Sequence, residues 1–197
     1  MKLYGSTSSP YVRRVRVVAA EVGEPIELVD TTSDAGLAAL REATPIAKVP
    51  VAVVDGRQLF DSRVIVEWLV TTRGWHELAP PSDVWRTSNL LNAIDAALDA
   101  IVQLYYLRRE GFPVDGTPYA QRRLDRTAAV FAWLGDQLTA DKTSFDGGLG
   151  IAEIALITAL DWMDFRSAHP TDSATSLGAL RARWREHPSL VATRPTE

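Results

Sequence analysis

The chain of 197 residues contains no cysteine. That excludes a structural disulfide, a thiolate metal site and a cysteine nucleophile. It also excludes a cysteine-type thiol–disulfide oxidoreductase, whose attacking thiolate must come from the protein itself. Histidine is scarce: His76, His169 and His187 stand far apart without metal-ligand spacing, so no metal site is expected. No uninterrupted stretch approaches the ~20 apolar residues that span a bilayer, and the opening MKLYGSTSSP holds no long apolar segment. The net charge of -4 provides no general attraction to nucleic acid or to an acidic membrane. The expectation is a cytoplasmic protein in a reducing setting, with neither nucleic acid nor membrane as partner.

What is present is a hydrophobic content of 46%, enough for a substantial core in one large domain or two small ones. The two halves follow different patterns. Residues 1–76 alternate strand and helix: a β-prone run at Lys2–Gly5, then a helix from Pro10 with Val12, Val15, Val18, Ala19 and Val22 at spacings of three and four. Gly23 stands at the C-cap position. Ile26–Val29 reads as a second strand, Ala35–Glu42 as a short helix and Val49–Val54 as a third strand. Asp55-Gly56 signals a hairpin returning through Gln58–Phe60, and Asp61-Ser62 opens another helix. The order is βαβαββα, an α/β domain with a mixed sheet. Residues 77–83 read as a linker and 84–197 as an all-α helical domain. Within it, Ile151–Phe165 is apolar almost all round, as a helix buried inside a bundle would be.

Three short motifs in the first half bear on chemistry. Ser9-Pro10 joins a favoured N-cap to a favoured first-turn residue, so it specifies a helix start. The same corner offers free backbone N–H groups and the positive end of the helix dipole, which favour an anion. A helix N-terminus lowers a thiol pKa from its reference of ~8.5, and a serine hydroxyl would add a charge-assisted hydrogen bond. With no cysteine in the chain, that thiol must belong to a cosubstrate. Lys48-Val49-Pro50 places proline at the head of a strand, where it removes a ladder donor. A cis Val49-Pro50 bond would expose the Val49 backbone for strand-like pairing with an extended peptide. On the residues alone an ordinary trans proline at a strand edge is the simpler account. Asp61-Ser62 caps the next helix; as a site it has the polarity to hold the ammonium and carboxylate of an amino-acid terminus.

In order within one small domain, these motifs resemble the glutathione transferase family. The resemblance rests on Ser9-Pro10-Tyr11-Val12-Arg13-Arg14-Val15-Arg16, on Thr44-Pro45-Ile46-Ala47-Lys48-Val49-Pro50-Val51, on Leu59-Phe60-Asp61-Ser62-Arg63-Val64-Ile65 and on Leu149-Gly150-Ile151-Ala152-Glu153-Ile154-Ala155. The layout is closest to bacterial members and to the tau and omega classes. It implies a thioredoxin-like first domain, a helical second domain and a homodimer. It implies Ser9 as the catalytic residue, Val49 and the cis Pro50 beside the cysteinyl part of glutathione, and Asp61 and Ser62 at its γ-glutamyl end. Lys48 is a candidate contact to the glycyl carboxylate, and Tyr11, Tyr105, Tyr106, Phe112 and Trp162 are candidates for the second-substrate pocket. The cosubstrate is then glutathione, with no metal, and the partner a small electrophile.

Three departures from the family pattern stand out: Asp61 where glutamate is usual, Gly150 where serine or threonine begins the capping box, and Thr44 in place of asparagine. Glycine leaves only the Glu153 half of that box workable. Ser8 and Tyr4 rival Ser9, although Tyr4 sits inside the first strand where packing is its expected role. Arg13, Arg14 and Arg16 are spread around their helix and read as ordinary solvated charges. The activity expected is conjugation of glutathione to an electrophile. The alternatives are a glutathione-dependent isomerase or dehalogenase, or a non-catalytic relative acting through protein contacts.

Overall fold

The computed structural model describes residues 1–141, 143–171 and 175–196. The elements are β1 (Lys2–Gly5), α1 (Pro10–Glu21), β2 (Glu27–Asp30), α2 (Asp34–Ala43), β3 (Val51–Val54), β4 (Arg57–Leu59), α3 (Ser62–Arg73), α4 (Val84–Arg109), α5 (Pro118–Asp136), α6 (Ile151–Phe165), α7 (Thr175–Trp184) and α8 (Pro188–Ala192). By its contacts the chain divides into Met1–Pro80 with Trp184–Glu197, and Pro81–Arg183.

The first unit is built on a sheet of order β2-β1-β3-β4. β1 and β2 run parallel, joined by the α1 crossover, while β3 lies antiparallel to both β1 and β4. The valines that set the α1 period, Val12, Val15 and Val18, are fully buried. Ser9 caps α1 by accepting the Val12 N–H, and Gly23 follows the helix in the left-handed region (φ 70°) that glycine adopts freely. This is a thioredoxin-like domain.

Helix α2 starts tight against the strand before it. Its Ser33 cap accepts the Gly36 N–H at 3.1 Å. A Cβ on Gly36 would lie 1.8 Å from the Asp30 carbonyl oxygen, a backbone atom that cannot swing aside. Gly36→Ala is therefore expected to destabilise the fold by about 1–3 kcal/mol, the usual range for overpacking. Chemical denaturation checks this, and an unchanged midpoint would mean that α2 shifts without cost.

The second unit is helical. α4 packs against α5 and α6. Leu90, Ile94, Leu98 and Ile101 form its buried stripe, and Ile154, Leu156 and Met163 of α6 are buried on more than one side. By length and composition α4 is one helix that could cross a membrane. Asp95 and Asp99 interrupt the run in the sequence, and the buried stripe Leu90, Ile94, Leu98 and Ile101 belongs to a helix that packs on α5 and α6.

Candidate functional site

The sheet topology brings the three motifs of the first unit to one edge. In the antiparallel register Tyr4 faces Val51, so the end of β1 lies beside the start of β3. Leu59 faces Ala52, so the end of β4 lies at that same edge. The Ser6–Ser9 loop, the Lys48–Pro50 segment and the Phe60–Ser62 segment all leave the sheet there. Two 12-residue helices, α1 and α3, start from this edge, so two sets of free N–H groups and two positive dipole ends meet at it.

Each residue has a definite local role. Ser9 is half-buried, and its Oγ accepts the Val12 N–H at 3.3 Å. A hydroxyl has two acceptor lone pairs and one donor, so capping leaves the Ser9 O–H available to donate. Ser8 Oγ lies 3.3 Å from Ser6 Oγ and makes no cap. Tyr4 packs against the buried cluster of Leu40, Ala43 and Val51. Lys48 is exposed, Val49 half-buried and Pro50 buried, and the Val49–Pro50 peptide is cis. Asp61 is exposed and caps α3, its carboxylate accepting the Arg63 N–H at 2.9 Å.

Ser62 is buried, and its Oγ accepts from Arg14 Nη1 at 3.4 Å. This contact overturns the reading of α1's arginines as solvated charges. Arg13 and Arg14 are each only 2% exposed. α1 is covered by α3 on one side and by α8 on another, so its guanidinium groups lie in contacts rather than in water. Arg16 is half-buried, and burial, reinforced by the neighbouring Arg13 charge, lowers its pKa. The Arg14 guanidinium also lies 5.8 Å from the centroid of the Tyr11 ring, which stays in the first unit.

The other aromatic candidates belong to the second unit. Tyr105 meets Trp162 edge-on at 5.4 Å and Tyr106 at 5.3 Å, so three of them form one aromatic group. Trp162 is its buried floor at 4% exposure. Tyr106 is exposed, with Arg109 over its ring at 4.7 Å. Phe112 lies beyond the end of α4 and is 58% exposed.

Comparisons with known proteins agree with this architecture. The family described as glutathione S-transferase, N-terminal domain, matches residues 3–77, which include all three motifs at the sheet edge. The GST-like protein YibF of Escherichia coli K12 is 26% identical over 181 residues, 86% of this chain and 85% of that protein. A glutathione transferase family member from Pseudomonas fluorescens Pf-5, solved with bound glutathione, is 30% identical. Its TM-score is 0.84, with 100% of this chain and 99% of that chain covered. A glutathione S-transferase from Methylobacillus flagellatus, also with glutathione bound, is 26% identical with a TM-score of 0.80, covering 99% of each chain. A thioredoxin-like sheet whose edge gathers Ser9, Val49–Pro50 and Asp61-Ser62, a helical second unit and these end-to-end likenesses lead to one assignment: the chain belongs to the glutathione S-transferase family.

Proposed function

We propose that this protein binds glutathione at the sheet edge and activates its thiol for attack on a small, apolar electrophile. The observation that carries the reading is the meeting of the α1 and α3 N-termini where Ser9, Val49 and Ser62 stand. In this reading the backbone of Val49 pairs with the cysteinyl residue, as an added strand would. Ser62 and the α3 amides receive the γ-glutamyl carboxylate, Asp61 receives the ammonium group, and Lys48 the glycyl carboxylate. The Ser9 O–H donates to the sulfur, favouring the thiolate. The thiolate then forms a bond to the electrophilic carbon, the thiol proton having gone to solvent, and a leaving group departs where the substrate carries one. Holding both reactants together supplies the proximity term. Within the first unit, Tyr11, two residues after Ser9, is the proposed contact for the electrophile. The glutathione-bound relatives support the cosubstrate.

Glutathione is expected to protect the protein against heat. Free ligand at 100 times its Kd stabilises by about 2.7 kcal/mol. For a chain of this length that raises Tm by roughly 5–10 °C. S-methylglutathione, which keeps every contact except the thiol's, should protect comparably. A flat melting curve at millimolar glutathione would favour a non-catalytic relative.

A further inference from the structure

The segment after α7 returns to the first unit and runs along α1, antiparallel to it. At the far end of α1, His187 Nδ1 lies 3.5 Å from the Glu21 carboxylate. About two turns closer to the site, the buried Arg13 donates from Nη2 to the Leu190 carbonyl at 3.0 Å and from Nε to Thr193 Oγ1 at 3.4 Å. Thr193 passes its own proton to the Ser189 carbonyl at 2.8 Å, so the anchor is satisfied on both sides. The segment then reaches the loop between β1 and α1. Thr196 Oγ1 donates to Thr7 Oγ1 at 2.9 Å, and Thr7 Oγ1 donates to the Thr196 carbonyl at 3.4 Å.

Covering the apolar side of α1 would explain α8 and Leu190, but not this last contact. Thr7 and Thr196 are 189 positions apart and polar, and Thr7 stands two residues before Ser9. Inside the loop the bonds are long: Ser9 N–H to the Ser6 carbonyl at 3.3 Å, and Ser6 to Ser8 through their hydroxyls at 3.3 Å. The loop's own bonds are thus longer than the two that hold it from outside, the Arg13 N–H to the Ser9 carbonyl in α1 and Thr196 to Thr7, each at 2.9 Å. We infer that residues 187–196 act as a strap, and that Thr7 and Thr196 are positioning residues which fix the loop so that the Ser9 hydroxyl faces the sulfur. Arg13 anchors the strap, and Thr196 bonds to Thr7. This rests on Ser9 being the group that activates the thiol.

The test compares Thr7→Val, Thr196→Val, the double variant and Thr7→Ser in the full chain, beside Ser9→Ala, with glutathione and 1-chloro-2,4-dinitrobenzene. Loss of one neutral hydrogen bond corresponds to about a 3- to 10-fold fall in kcat. We expect that fall in both single valine variants, with KM for glutathione within twofold and the pH–rate profile displaced to higher pH. The double variant should be no worse than either single one, and Thr7→Ser should restore the wild-type profile. Wild-type kcat and pH profile in both valine variants, beside a crippled Ser9→Ala, overturn the strap alone. So does a fall in Tm that accompanies raised KM with an unmoved pH profile, since that marks simple packing. Full turnover in Ser9→Ala overturns thiol activation by Ser9, and the strap's role with it.

Discussion

Replacing Ser9 with alanine is expected to lower kcat for glutathione conjugation by about 10- to 150-fold, the factor equivalent to losing a hydrogen bond of ~1.5–3 kcal/mol to a charged group. An ordinary thiol with a pKa near 8.5 is about 1% ionised two pH units below it, so most of the advantage at neutral pH lies in the thiolate fraction. The loss should therefore be largest at low pH and shrink as the medium itself ionises the thiol. Ser9 also caps α1 through the Val12 N–H. The same substitution should cost about 1 kcal/mol of stability, a typical cap value. The two effects separate cleanly, because a small stability loss leaves the folded population at 25 °C nearly unchanged. Ser9→Thr keeps both the cap acceptor and the donor and should retain most activity. If Ser9→Ala loses stability but keeps its turnover at every pH, Ser9 is a helix cap and nothing more. Ser8→Ala should change little, since Ser8 bonds to Ser6 and not to α1.

Glu153→Ala is expected to be the most destabilising single change considered, at about 2–6 kcal/mol, the cost of orphaning two buried N–H groups at ~1–3 kcal/mol each. Glu153 is 2% exposed at the start of α6. Its Oε1 accepts the Phe145 N–H at 2.7 Å and its Oε2 the Gly150 N–H at 3.1 Å. Gly150, at the N-cap, has no side chain to answer in the other direction, so the carboxylate satisfies this corner alone. Such a loss would be a large fraction of an ordinary domain's margin. It should appear as a lower denaturation midpoint at unchanged m; a loss below about 0.5 kcal/mol, within ordinary surface-substitution scatter, would mean water replaces the carboxylate.

Burial raises the Glu153 pKa, outweighing the pull of the backbone N–H donors. The stability linked to this raised pKa is fully present below the ordinary carboxylate value and is lost as pH rises through the folded one. Glu153→Gln, which cannot titrate, should lose that slope.

Much of the first unit was legible because its signals are local. Ser9-Pro10 marks the start of α1, Gly23 its stop, Asp55-Gly56 the β3–β4 turn and Asp61-Ser62 the α3 cap. Each rests on the conformational preferences of two or three adjacent residues, and the structure places each element there. From βαβ followed by a hairpin, the mixed sheet follows as well.

What escaped reading depends on segments distant in sequence. Arg13 and Arg14 look like surface charges because arginine on a helix is usually solvated. Their burial is decided by α3, and by a segment some 180 residues further on. α8 has only five residues, too few to show a period, and only Pro188 marks its first turn. α4 illustrates the reverse: its apolar content is plain, but only the positions of α5 and α6 say where that content goes.

The strap along α1 has a consequence for the order in which the molecule is made. All three segments of the sheet edge have left the ribosome once residue 62 is clear of it, and domains generally fold as they emerge. Arg13, however, meets Leu190 and Thr193, and Thr7 meets Thr196, only once residues 190–196 have been synthesised, after the whole of Pro81–Arg183. The first unit to begin folding is thus the last to be completed, and the loop bearing Ser9 takes its final restraint after the helical unit has already been made.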